Sequence, residues 1–441
     1  MKKARLFVSI FLLLSVLLSA CGKGTPDATS PASGETESPA ATEAPTEALA
    51  EDVLYLNITW HQHQPLYYKD EDGVYTRPWV RVHATKDYYD MAATVAKYPN
   101  VHVTFNLTPV LLKQLNDFVE NGAKDRYWVL SEKPAAELTD ADKDFILRRF
   151  FDANYDHMIR VHAGYKALLD KRVGASDAEI AKAMETFTEQ DFRDLQVWFN
   201  LVWMDPDELA KEPLKALVEK DHGFAEEDKA VVFDQVKKIM AEAVPIHKQL
   251  QDAGRIEVIT TPYAHPILPL LYNTKLSLVG NPSAEQPKQF SYVQDVIAQL
   301  DQSVKIYEET YGREPRGMWP AEGAVAQEIV PFVSKAGYTW MASGEQVLAN
   351  SLGIGAFTRD SKDTVLEADK LYRPYIVEGP ADGPVKGGSV VMVFRDLLIS
   401  DKLGFTYSGT PGKEAAADFM QRLENIREEL KKEGATGPHL V

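Results

Sequence analysis

Hydrophobic residues along the chain follow two rhythms, and their order predicts the architecture. Short β-branched and aromatic runs predict strands over Val53 to Trp60, Val101 to Leu107, Arg255 to Thr261, Arg316 to Pro320, Tyr338 to Ala342 and Ser389 to Phe394. Between the second and third of these, residues 110 to 253 carry helical spacing, as in Phe145 to Leu169, Phe192 to Met204 and Lys229 to Leu250. Tyr165, Trp198, Phe199 and Trp203 take core-type positions there. Further on, Ala324 to Ala336 has Val325, Ile329, Val330 and Val333 at helical spacing. Ala415 to Glu433 reads as a helix ended by Gly434. Strands alternating with helices predict an α/β fold with a parallel sheet and one long helical insertion. Gly437 to Val441 only begins a further strand, so the edge beside Ser389 to Phe394 is expected to lie open.

The first 52 residues follow neither rhythm. Lys2, Lys3 and Arg5 precede an apolar run from Leu6 to Leu18, and Leu18-Ser19-Ala20-Cys21 matches a bacterial lipoprotein cleavage site. The run is too short for a membrane-spanning helix. Residues 1–20 are therefore expected to be a signal peptide, with Cys21 lipidated as the membrane anchor of an extracytoplasmic protein. Residues 21–52 are rich in Ala, Thr, Ser, Pro and Glu, which predicts a disordered tether, and residues 53–441 form the folded part. Cys21 is the single cysteine, so stability cannot come from an intramolecular disulfide.

Charge narrows the range of ligands. The formal net charge is -17, and removing Lys2, Lys3 and Arg5 with the signal peptide leaves -20. Such an excess of carboxylates argues against nucleic acid and other polyanions as partners. A neutral polysaccharide is compatible with it.

Chemistry concentrates where strands are predicted to end. In Gly317-Met318-Trp319-Pro320-Ala321-Glu322-Gly323, the carboxylate of Glu322 follows a strand and precedes a helix, on the rim where α/β barrels collect catalytic groups. Glu322 is the candidate nucleophile. Taken alone, the position also fits a first-turn Glu held by the helix dipole. The first strand runs directly into His61-Gln62-His63-Gln64-Pro65, where alternation points His61 and His63 the same way. Imidazoles and amides can both donate and accept, as a sugar hydroxyl does. Two histidines at this spacing could also ligate zinc, but no Asp or Cys lies nearby in sequence to complete a set.

Together these segments resemble glycoside hydrolase family 57, and within it the amylopullulanase-like branch. His61 to Pro65 looks like the family's first motif, whose histidine lines the subsite of the sugar at the cleavage point. Thr261-Pro262-Tyr263-Ala264-His265-Pro266 is similar to the second motif, keeping only His265 of its Gly-His-Glu core. Gly317 to Gly323 resembles the third, which carries the nucleophilic glutamate and puts that role on Glu322. Pro78-Trp79-Val80-Arg81-Val82-His83, Phe105-Asn106-Leu107-Thr108-Pro109, Trp203-Met204-Asp205-Pro206 and Phe394-Arg395-Asp396 with Ser400-Asp401 extend the likeness over about residues 53 to 441.

The resemblance implies a (β/α)7-type barrel with a long helical insertion, truncated before its seventh strand. It implies a retaining glycosidase or glucanotransferase acting on an α-glucan or maltooligosaccharide, without cofactor or metal. His61, His63, Gln64 and His265 would hold sugar hydroxyls, and Trp319 would stack on a pyranose face. Trp203 and Asp205 would border the groove. Arg395 and Asp401 would contact substrate, with Arg395 pairing with Asp396 or keeping a neighbouring carboxylate ionised. The family's acid/base aspartate comes from a later strand and has no match here. Asp396 is the leading substitute, as acid/base or as support.

Two further classes compete with this reading. Related (β/α)7 barrels include zinc-dependent mannosidases and deacetylases, against which stand the glutamines after His61 and His63 and the missing Asp. A sugar-binding lipoprotein without catalysis would be two-lobed, which the long helical insertion disfavours.

Overall fold

The computed structural model describes residues 53–441 apart from 384. The expected signal segment, Cys21 and the whole tether to residue 52 lie outside the described residues. The described residues fall in one compact unit.

The apolar runs fold as β1 (Leu54–Tyr55), β2 (Thr59–Gln62), β3 (Val103–Leu107), β4 (Ile256–Ile259), β5 (Gly317–Met318), β6 (Trp340–Gly344), β7 (Tyr375–Glu378), β8 (Ser389–Arg395) and β9 (His439–Leu440). In space, β9, β1 with β2, β3, β4, β5, β6 and β8 follow one another in parallel, with a bridge from Thr260 to Met318 joining β4 to β5. The protein is thus a mixed α/β fold built on a curved parallel sheet. Such a sheet is covered by helices on its outer face, which is why its strands read as nearly continuous apolar runs. β3 is buried at every position, and burying one ring such as Phe105 contributes roughly 1.5–3 kcal/mol. Gly317 has a steric reason: a Cβ there would collide with the Trp340 ring and Ile259.

Two expectations are corrected, and the further strand expected to begin at Gly437 is found. The edge of β8 is not open, because β7 pairs along it in antiparallel from Tyr375 opposite Met392 to Glu378 opposite Ser389. The start of the seventh parallel strand is in place as β9. It pairs with β1, while Leu440 N donates to Tyr372 O at 2.7 Å on its other side. The periodic stretch Phe145 to Leu169 breaks into Asp140–Arg149, a π-type turn Tyr155–Ile159 and Ala163–Arg172. Asn154 causes the break, its side chain accepting from the backbone N–H groups of Asp156 and His157 at 3.0 Å each.

The helical insertion has its own aromatic core. Tyr165 and Trp198 stack at 6.0 Å, and Tyr127, Phe150 and Phe199 pack beside them. Trp203 belongs to this core as well: it is 8% exposed and its Nε1 donates to Asp152 O at 3.2 Å. A groove-lining role for Trp203 is therefore not what the structure gives. Among the described residues no helix is long and apolar enough to cross a membrane.

One buried group makes stability depend on pH. His247, in the helix Glu226–Asp252, is fully buried, and burial lowers its pKa to about 4 despite a hydrogen bond to Ala243 O. The unfolded chain takes up a proton near pH 6.5 that the native state refuses until about 4. Stability is therefore lost as pH falls through that window, by about 3 kcal/mol from this group, and levels off below it. Urea melts at pH 7 and pH 4.5 should show a smaller loss for His247→Leu than for the parent. An equal loss in both would refute the assignment.

Candidate active site

The segments singled out at strand ends converge on one rim of the sheet. β2 pairs with β3 so that His61 sits opposite Asn106, and Asn106 Nδ2 donates to His61 Nδ1. That bond leaves the ring proton of a neutral His61 on Nε2, facing outward as a donor. Across the rim, the loop after β4 carries His265. It is pinned to the helix Val293–Tyr311 by Gln299, whose backbone carbonyl takes Tyr263 N at 3.0 Å and whose side chain takes Ala264 N at 2.7 Å. The rings of His61, His63 and His265 lie 4.3 to 5.6 Å apart between centroids. Trp319 stands 6.0 Å from His61.

Glu322 follows β5 in a single 3₁₀ turn, Ala321–Gly323, and not at the start of the expected helix. The helix itself is delayed to Val330–Lys335, because Glu322 and Gly323 both adopt left-handed backbones with φ of 59° and 65°. The turn is held at both ends. Trp319 N donates to Thr260 O at 2.9 Å, and the buried Ser343 hydroxyl donates to Gly323 O at 2.7 Å. A left-handed conformation costs a residue with a Cβ about 1–2 kcal/mol. His265, with φ of 58°, carries the same strain, and its Nδ1 lies 3.8 Å from Glu322 Oε1. Strain concentrated on two touching polar residues is the pattern of a functional constraint. The Glu322 side chain is 70% exposed, so its carboxylate is free to meet a ligand.

The imidazoles are tuned to be neutral. Desolvation, then repulsion from His265, lowers His63 to about 4, while Glu322 opposes the shift. Desolvation also lowers His61, reinforced by His265 and His63, and lowers His265 against the pull of Glu322. Buried His63 Nδ1 and His265 Nε2 have no hydrogen-bond partner among the described residues. Such orphaned groups call for a ligand that can donate and accept. The nitrogens of His61, His63 and His265 also fall within 4.8 Å of one another, a third ligand that no reading of neighbours in sequence could supply.

Other expected site residues fall elsewhere. Gln64 is committed to two tyrosines, donating to Tyr88 OH at 3.1 Å and accepting from Tyr67 OH at 2.6 Å. Arg395 lines, with His61, Trp319 and Asp396, a cavity of about 300 Å³ between β2 and β8. It does not pair with Asp396. Arg359 does, with both nitrogens at 3.1 Å, joined by Tyr372 OH at 2.8 Å and the Ile399 N–H at 3.0 Å. The Asp396 carboxylate is 3% exposed and spent on these partners as a helix cap, which corrects its candidacy as acid/base. Asp401 lies exposed on the helix Leu397–Gly404 that Asp396 caps.

Asn106, Ser343 and Arg359 were not assigned roles from sequence. Asn106 had a signal, being an amide in a strand, Val103–Leu107, whose other residues are β-branched, aromatic or aliphatic. Arg359, in a loop with no distinguishing pattern, had none.

A family model described as Glycosyl hydrolase family 57 matches residues 57–436. No curated protein matches the chain. Among solved structures, a branching enzyme from Thermococcus kodakaraensis is similar at 16% identity and a TM-score of 0.46, over 88% of this chain and 63% of that one. The α-amylase AmyC from Thermotoga maritima matches at 14% and 0.38, over 79% and 47% respectively. A 4-α-glucanotransferase from Thermococcus litoralis matches at 11% and 0.36, over 88% and 37%. The chain spans less than two thirds of the length of each of these three proteins.

Proposed function

Because the chain belongs to glycosyl hydrolase family 57, we propose that it acts on an α-glucan with retention of configuration, Glu322 being the nucleophile. The observation that carries this reading is the contact between Glu322 and His265, two strained rim residues 3.8 Å apart. Glu322 attacks the anomeric carbon and forms a glycosyl ester, while the departing oxygen takes a proton from an acid. Water or a second sugar hydroxyl then opens the ester, so hydrolysis and transfer are two fates of one intermediate. Neutral His61, His63 and His265 receive sugar hydroxyls, and Trp319 offers its indole face to a pyranose. Arg395, in the cavity that His61 and Trp319 also line, contacts the bound sugar, and the exposed Asp401 is left as an outer contact to a longer chain. A reducing-end-labelled maltooligosaccharide, assayed with and without chelator, tests the reading. Chelator-insensitive formation of shorter or longer labelled products supports it, and no change in the substrate contradicts it.

A second reading has one observation in its favour. Three neutral imidazoles with converging nitrogens could hold a divalent metal such as zinc. The readings separate on variants. Replacing His61 or His63 by Ala should weaken transition-state binding by about 2 to 4 kcal/mol through unpaired hydroxyls, without any response to added zinc. Stoichiometric metal in the purified protein, lost in either variant, would favour the metal centre.

Export belongs to the proposal too. Cleavage before Cys21, lipidation of that residue and a tether through residue 52 would hold the folded unit outside the cytoplasmic membrane. Labelled palmitate should enter the parent protein and not a Cys21→Ser variant. Equal incorporation would remove the anchor.

A further inference from the structure

A second aromatic corner, outside the three-histidine cluster, is built by the segment Pro78 to Tyr88. The helix Trp79–His83 runs without a break into a π-helical stretch, Ala84–Tyr88. Such widened turns are rare and recur at functional sites. Here the stretch brings Asp87 Oδ2 to 2.5 Å from His83 Nδ1, with the two side chains 36% and 31% exposed. The half-buried indole of Trp79 lies 6.4 Å from the His83 ring. Trp203 backs both, edge-on to His83 at 5.1 Å and to Trp79 at 5.9 Å.

The corner is rigid and adjoins the candidate active site. Thr85 Oγ1 donates to Trp203 O at 2.7 Å, and Asp205 N donates to Thr85 O at 3.2 Å. Tyr88 closes the stretch and holds Gln64 through its hydroxyl, one residue along from His63. The reaction at Glu322 makes no use of Trp79, His83 or Asp87. Packing of the indole against the core of the insertion accounts for one side of Trp79, but fold stability does not explain His83 and Asp87, since a polar contact exposed to this degree contributes little.

We propose that Trp79, His83 and Asp87 form a second sugar subsite, holding a glucosyl unit of the same α-glucan at a distance from the unit on Glu322. The indole meets the C–H face of a pyranose, and the imidazole and carboxylate meet its hydroxyl edge. The Nδ1–H of His83 donates to Asp87 Oδ2, which leaves Nε2 of the neutral ring free to accept from a ligand hydroxyl. Because Trp203 and Thr85 already fix the corner, little ordering remains when the ligand binds. The inference rests on the α-glucan reading of the main site. It adds that the protein grips chains longer than a disaccharide.

Calorimetric titration of the whole protein with maltose and with maltohexaose tests it. Trp79→Ala and Asp87→Asn should each reduce the ratio of maltohexaose to maltose affinity about tenfold, the size of one lost stacking or hydrogen-bonding contact set. Trp79→Phe, which keeps a ring, should fall between them and the parent. If Trp79→Ala loses its near-ultraviolet dichroism, Trp79→Phe and Asp87→Asn carry the comparison. Binding of both sugars by the parent with an unchanged ratio in every folded variant would overturn the subsite and leave the main site standing. Failure of the parent to bind either sugar would overturn both.

Discussion

Glu322→Gln should abolish glycosyl transfer while leaving glucan binding nearly intact. The amide keeps the shape of the side chain and its place beside His265, but it cannot form the glycosyl ester. The left-handed turn also survives, because the anchors at Trp319 N and Gly323 O are backbone groups that do not involve the substituted atoms. Loss of a nucleophile reaches several orders of magnitude, so a variant retaining more than about a hundredth of the parent rate would refute the assignment. Titration with maltohexaose separates the two effects. A collapse of binding together with rate would mean that Glu322 holds the ligand and does not attack it.

Arg81→Leu should be the most damaging single change to stability. Arg81 and Asp125 are 1% and 0% exposed and lie 2.5 Å apart, and Asn200 takes a third bond from the guanidinium at 2.8 Å. These partners belong to different parts of the chain, since Arg81 is on the helix Trp79–His83, Asp125 caps Arg126–Glu132 and Asn200 is on Glu189–Leu201. Removing the cation strands a buried carboxylate, which costs about 3–5 kcal/mol. Pairing the change with Asp125→Asn removes the stranded charge while keeping a side chain that can cap. Urea melts should then show the double variant recovering part of the loss. A double variant no more stable than Arg81→Leu would show that packing, and not charge, makes the difference.

The sheet was legible in the sequence because its strands are short runs rich in β-branched and aromatic residues, as Val103–Leu107 and Ser389–Arg395 are. β7 was missed because it is an outer strand of alternating burial, four residues long, with nothing to separate it from a loop. The rim position of Glu322 could be read from the strand before it. Its conformation could not, since a left-handed glutamate leaves no trace in periodicity, and the expected helix was drawn too early. His61 and His63 declared a common face by alternation. Their meeting with His265 is a long-range fact that only the order of β2, β3 and β4 supplies. Trp203 and Asp396 went the other way. Each was expected at the groove from its segment's resemblance to the family, yet one fills an aromatic core and the other caps a helix against Arg359. Likeness of segment identified the neighbourhood, and only geometry separated contact from support.

The central claim is that Glu322 bonds covalently to a sugar, and trapping that bond tests it most directly. A 5-fluoro-α-glucosyl fluoride suits the purpose, because fluoride departs without protonation and the reading depends on the nucleophile alone. Intact mass measurement after incubation should show one added fluoroglucosyl group, and peptide mapping should place it on Glu322. The adduct should be absent from Glu322→Gln. A label on any other carboxylate, or slow turnover of the reagent by Glu322→Gln at the parent rate, would contradict the account.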